Sequence, residues 1–138
     1  MLFKSSSSAL LGIDAYVVEV EVDISAGLPN FIIVGLPDAS IRESKERVKA
    51  ALKNCGYEFP SRKVTINLAP ADRRKEGPAF DLPIALGHLA YLGIIPPDGG
   101  RDYIFMGELA LDGRIKPVKG VLSAALLAKK RSYKGIIV

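Results

Sequence analysis

Tyr16-Val-Val-Glu-Val-Glu-Val-Asp-Ile24 decides how this chain folds. Val18, Val20, Val22 and Ile24 share one parity, and Glu19, Glu21 and Asp23 share the other. Side chains of a β-strand alternate between two faces, so this period of two predicts a strand with one apolar and one wet face. Upstream, residues 7–12 predict a preceding strand, with Ile13 and Asp14 in a tight connection. The run Ser5 to Ser8 reads as a solvated strand edge or a floppy end. Downstream, Gly27-Leu-Pro-Asn30 is a turn cluster and Phe31-Ile-Ile-Val34 a short apolar strand. Three β-segments therefore precede any helix.

A helical period takes over after Gly35-Leu-Pro-Asp-Ala-Ser40, in which Asp38 or Ser40 can cap a helix. From Ser40 to Asn54, the residues Ile41, Ser44, Val48, Ala51, Leu52 and Cys55 fall on one face, and Gly56 supplies a stop. Cys55 is expected to pack there as a small apolar side chain. Lys63 to Ala69 alternates again, with Val64, Ile66 and Leu68 inward. Pro70 to Pro78 is a polar loop, and Asp81 to Leu92 is apolar all round, which predicts a central buried helix. It contains His88, read as a partly buried, hydrogen-bonded residue. Tyr103 to Leu111 and Arg114 to Val118 read as one hairpin closed by a two-residue Asp112-Gly113 turn. Gly120 to Lys130 is a further helix and Gly135 to Val138 a last strand. The order β-β-β-α-β-α-β-β-α-β predicts an α+β fold, a two-layer α/β sandwich with helices on one face of a mixed sheet.

At 138 residues, with 49% apolar and 25% charged residues, the chain is expected to form a single domain, 1–138. Its net charge of +4 permits nucleic-acid contact without requiring it. One cysteine excludes an internal disulfide or cysteine-cluster zinc site, and one histidine excludes a two-histidine metal site. Asp14 interrupts the apolar start, so no signal peptide is expected, and no run approaches the roughly 20 apolar residues of a membrane span. A cytoplasmic location is the expectation. The sequence ends on a strand without a tail, as expected of a piece of a longer protein.

Several motifs occur together: Gly35-Leu-Pro-Asp-Ala-Ser40, Glu43-Ser-Lys-Glu-Arg-Val48, Ile66-Asn-Leu-Ala-Pro-Ala-Asp72, Lys75-Glu-Gly77, Phe80-Asp-Leu-Pro-Ile-Ala-Leu86 and Gly107-Glu-Leu-Ala-Leu-Asp-Gly113. In this order they resemble the start of the ComM/YifB family, bacterial magnesium-chelatase-like AAA+ proteins. The resemblance covers essentially the whole chain. It implies the ribosomal protein S5 domain 2-like fold found in the proteolytic domain of Lon. It further implies an AAA+ ATPase module downstream, which would hold ATP and Mg, and a hexameric motor promoting DNA branch migration in natural transformation. No G-x-x-x-x-G-K-[ST] occurs here, so no cofactor is expected in this part.

Lon attacks with a serine activated by a lysine of lowered pKa. In the resemblance, the serine's place in Lys75-Glu-Gly-Pro-Ala-Phe-Asp81 falls to Ala79. The lysine's place, counted on from the Gly107-to-Pro117 segment, falls to Leu122. A methyl group cannot attack a carbonyl, and an isobutyl group cannot accept a proton. No catalytic residue is expected, although Lys116, Lys119 and Ser123 stand near in sequence.

Candidate contacts to DNA or to a partner are the cations. Arg42, Lys45, Lys49 and Lys53 fall in one helical stripe, readable as a phosphate-contacting ridge or as a solvated flank whose stems cover the core edge. Arg73, Arg74 and Lys75 lie in the polar loop before a helix, opposed by Asp72, Glu76 and Asp81, and read equally as a contact or a plain surface loop. The functional expectation is a non-catalytic amino-terminal module of a DNA-remodelling motor, used for assembly or DNA contact. A Lon-type peptidase and a chelatase accessory domain are the alternatives.

Overall fold

The computed structural model describes residues 1–138. Its main sheet has six strands: β1 (Leu2–Leu11), β2 (Asp14–Ser25), β3 (Asn30–Val34), β4 (Lys63–Ala69), β5 (Tyr103–Phe105) and β8 (Gly135–Ile137), in the spatial order β3-β4-β2-β1-β5-β8. The β1–β2 and β2–β4 pairs are antiparallel and the β3–β4, β1–β5 and β5–β8 pairs parallel, so the sheet is mixed. The alternation of β2 predicts its faces correctly: Val18, Val20, Val22 and Ile24 are buried beside Val64, Ile66 and Leu68 of β4.

Four helices cover this sheet: α1 (Ala39–Arg42), α2 (Ser44–Asn54), α3 (Asp81–Tyr91) and α4 (Val121–Lys130). Asp38 is the cap of α1, accepting the Ile41 amide at 2.9 Å. The first three helices pack on the Val18–Ile24 face, where Ile41, Val48, Ala51, Leu52, Ile84 and Ala85 complete the core. α3 lies so close that a methyl group at Gly87 would stand 2.5 Å from the Val22 side chain. The α+β sandwich thus follows the element order, but α4 takes the opposite face. Ile104 is in register with Ser6, whose side chain points away from Val18 and Val20, and Ile104 packs with Ala124 and Ala128 of α4.

That placement explains the serine run, which is neither an edge nor a floppy end. β1 is central and covered on both faces, so alternation is lost and only small side chains fit. Ser5, Ser7 and Ser8 are buried; the Ser7 hydroxyl donates to Phe105 O at 2.7 Å and Tyr133 donates to Ser6 Oγ at 2.9 Å.

The predicted Tyr103–Leu111 strand is two elements. β5 belongs to the main sheet. After it, β6 (Glu108–Leu109) pairs with β7 (Ile115–Lys116) in a separate hairpin. The Ala110 amide donates to Arg114 O, leaving a three-residue loop, Leu111 to Gly113, rather than the two-residue turn. Gly113 has φ +94, the left-handed conformation such loops require. Cys55 is exposed at the end of α2 beside Asp112 instead of packing in the core, because the helical stripe has run past the core's edge there.

Candidate binding groove and its charged rim

Ala79 sits in a short 3-10 turn, Pro78–Phe80, leading into α3. Two straps position it. Asp38 reaches across to accept the Gly77 amide at 3.0 Å, and the backbone of Lys75 bonds both Leu36 and Asp38. Burial pushes the Asp38 carboxyl up, but the Ile41 and Gly77 amides and the Ser40 hydroxyl outweigh it and hold the pKa below its ordinary value.

Beside Ala79 opens a groove of about 930 Å³, walled by Ser8 to Gly12 of the β1–β2 hairpin, by Arg74 and Glu76 to Pro78, and by Pro117 to Gly120 before α4. Leu122 stands 75% exposed in the first turn of α4, outside the residues lining the groove. Two polar groups near it in sequence are engaged elsewhere. Ser123 donates to Ile13 O at 3.1 Å, and Lys116 faces Glu108 at 3.9 Å.

The candidate cations divide. Lys75 is wholly buried, its ammonium bonded to the carbonyls of Gly35 (2.9 Å) and Pro70, so it cannot present itself to DNA or a partner. Burial lowers its pKa, with Asp72 opposing the shift and Arg73 adding to it. The expectation for Lys75 is therefore corrected: the amine ties the loop to the end of β3, and the backbone of Lys75 bridges that of Pro37 beside it. Arg73 is exposed but lies over the Tyr16 ring, 4.7 Å from its centroid. Arg74 is exposed, faces Glu76 at 3.9 Å and lines the groove. On the other stripe, Arg42 and Lys53 are exposed and Lys45 and Lys49 half-buried, with the Lys49 ammonium 5.9 Å from the Phe59 ring centre. Glu43 interrupts the helix between Arg42 and the three lysines. No single surface collects both groups within the groove, which takes only Arg74 from them.

The strongest polar cluster involves a residue absent from the sequence-based candidates, Arg47. Buried Asp81 accepts from Ser44 Oγ (2.6 Å), from Arg47 Nε (2.6 Å) and Nη2 (3.0 Å), and from the Leu109 amide (3.1 Å). This cluster joins α2, α3 and β6 directly behind the Pro78–Phe80 turn. The Asp81 hydrogen bond holds the Arg47 pKa above its ordinary value, against the opposing effect of burial. Only the Glu43-to-Val48 motif, which contains both Ser44 and Arg47, hinted at it.

His88 is fully rather than partly buried. Its Nδ1 meets Ile84 O at 2.9 Å, its ring stacks 5.0 Å from that of Phe59, and its Nε2 has no partner.

Residues 20–138 match the family model described as subunit ChlI of Mg-chelatase. The chain belongs to the ComM/YifB family of magnesium-chelatase-like proteins. It is 46% identical over 129 residues to YifB of Escherichia coli (strain K12), covering 94% of this chain and 26% of that protein. It is 43% identical over 131 residues to the competence protein ComM of Haemophilus influenzae, covering 95% and 26%. A Mycobacterium tuberculosis protein, Rv2897c, is 41% identical over 137 residues, covering 99% and 27%. The chain thus spans about a quarter of the length of these relatives. No helix is long and apolar enough to cross a membrane.

Proposed function

We propose that the chain is a non-catalytic amino-terminal module of a magnesium-chelatase-like AAA+ motor that acts on DNA in the cytoplasm, serving motor assembly or DNA contact. One observation carries this reading. At the places that match the serine and lysine of a Lon-type hydrolase, this chain has the methyl group of Ala79 in the groove and Leu122 outside it. Ser123 and Lys116 are held by their own partners, and the hydroxyl and amine that do line the groove, buried Ser8 and exposed Lys119, are not hydrogen-bonded to each other. The identity to a competence protein supports a role in DNA uptake or remodelling. ATP, Mg and the hexameric ring belong, in this reading, to the remaining three quarters of such proteins.

Arg73 and Arg74 are the loop cations that stay exposed, with Arg42 and Lys53 on the second ridge. Titration of labelled single-stranded and branched DNA tests the contact. Binding is expected to weaken steeply with salt, each phosphate contact adding roughly 0.7–0.9 to the log–log slope. Joint reversal, Arg73→Glu with Arg74→Glu, is expected to lower affinity about tenfold and flatten that slope by one to two contacts. A chain that binds no DNA at low salt, or whose binding ignores charge reversal on both ridges, contradicts the DNA-contact role.

A further inference from the structure

β3 stands at one edge of the main sheet, paired with β4 and with no other strand. A strand edge carries unpaired main-chain groups, which proteins ordinarily guard with charged side chains or a proline. Asn30–Val34 has neither, and the whole stretch from Ala26 to Pro37 holds no charged residue.

The register with β4 fixes which main-chain groups face outward. Asn30 is opposite Lys63, and its amide donates to Arg62 O at 3.3 Å. In a parallel ladder the N–H and C=O of one residue point to the same side, and those of the next residue point to the other. Asn30, Ile32 and Val34 therefore bond to β4, while Phe31 and Ile33 turn theirs to the free edge. The Phe31 amide finds only the side chain beside it, donating to Asn30 Oδ1 at 2.9 Å, an exposed bond that a pairing strand would replace. The side chains divide as well. Phe31 and Ile33 pack against the core with Val64 and Ile66, whereas Ile32 and Val34 are exposed on the opposite face. Leu28 and Leu36, beyond the two strand ends, are exposed too.

The symmetry of this stretch names its occupant. Laid antiparallel against itself about Ile32, the strand sets Phe31 opposite Ile33 of a second copy, and the two-fold axis repeats the pair. Phe31 and Ile33 are the residues with outward groups, so each pair exchanges both its N–H···O bonds and Ile32 falls in the non-bonded position against itself. Leu28 and Leu36 each stand four residues from Ile32, so the Leu28 end of one copy meets the Leu36 end of the other. No like charges meet, because the paired stretch is neutral, and a charged partner strand would find no counter-ion on it. We propose that the free edge of β3 pairs two copies of this chain about a two-fold axis at Ile32, continuing the six-stranded sheet from one copy into the next. The pairing does not rest on DNA contact and is tested without DNA.

Sedimentation equilibrium of the purified chain over a rising concentration series should show a monomer–dimer equilibrium, and the Ile33 amide should exchange more slowly in the dimer. Ile32→Lys and Ile32→Glu are changes at an exposed position, and each sets like charges against one another across the axis. Each alone should raise the dimer Kd about tenfold or more, and an equimolar mixture of the two should associate at least as tightly as the parent. Leu126→Lys, at an exposed apolar position of α4, should leave Kd unchanged. A chain that stays monomeric throughout the series overturns the proposal. So does parental Kd in a folded Ile32→Lys or Ile32→Glu variant, a mixture of the two that stays monomeric, or a dimer that Leu126→Lys dissociates.

Discussion

Asp81→Asn should cost this chain more stability than any single surface change. The carboxylate is fully buried and accepts four hydrogen bonds, two of them from the Arg47 guanidinium, itself 18% exposed. An amide at this position turns one acceptor into a donor aimed at donors, and strips the guanidinium of its counter-charge. Removing one partner of a buried ion pair costs about 3–5 kcal/mol. Arg47 keeps its bond to Ser40 O at 2.6 Å and some access to water, which places the loss near the lower limit, about 3 kcal/mol. Unfolding entropy for a chain of 138 residues is about 0.3 kcal/mol per kelvin, so Tm should fall by about 10 °C. Urea unfolding at pH 7 measures the change, with the m-value unaltered. Pairing with Arg47→Met should be less than additive by about 2 kcal/mol, since the second change removes the stranded cation. A loss below about 1 kcal/mol, or strict additivity of the two, would refute the claim that this cluster holds α2, α3 and β6 together.

Two further outcomes follow from the same packing. Burial pushes the His88 pKa below its ordinary value, and the bond to Ile84 O only partly offsets this. The unfolded chain therefore takes up a proton first as pH falls, so this contribution is complete above about pH 6.5 and is lost progressively below it. His88→Leu should flatten the change in urea midpoint between pH 7 and pH 5; an unchanged slope would show that another group governs it. Gly87→Ala places a methyl group against Val22 and should destabilise by about 1–3 kcal/mol, read as a lower thermal midpoint. A neutral effect would mean that α3 and β2 can separate freely.

The sequence was most legible where burial is one-sided. β2 and β4 each face the core with one parity, so alternation located their inner residues correctly. α3 was equally clear, since a helix buried on all sides can carry no polar stripe. β1 was not, because covering on both faces leaves serines where a one-sided strand shows alternation. The Tyr103–Leu111 run hid a change of sheet: nothing in Met106-Gly107 records that the Gly107 amide will choose Ala79 O. Charge likewise misleads without geometry. Lys75 directly follows two exposed arginines in sequence and yet points inward to two carbonyls. The Asp81 cluster joins residues 34 and 37 positions apart, a separation at which no local period operates. At the groove, the match of Ala79 to a serine's place came from resemblance alone, whereas the end of β5 at Phe105 left no local signal.

The central claim is that this domain binds without cutting, and intrinsic hydrolysis is its most direct test. The purified chain should show no turnover of fluorogenic peptides or unfolded casein and no labelling by a fluorophosphonate. Saturable labelling of Ser8 or Ser123, with peptide turnover abolished by Ser→Ala at the labelled position, would contradict the account.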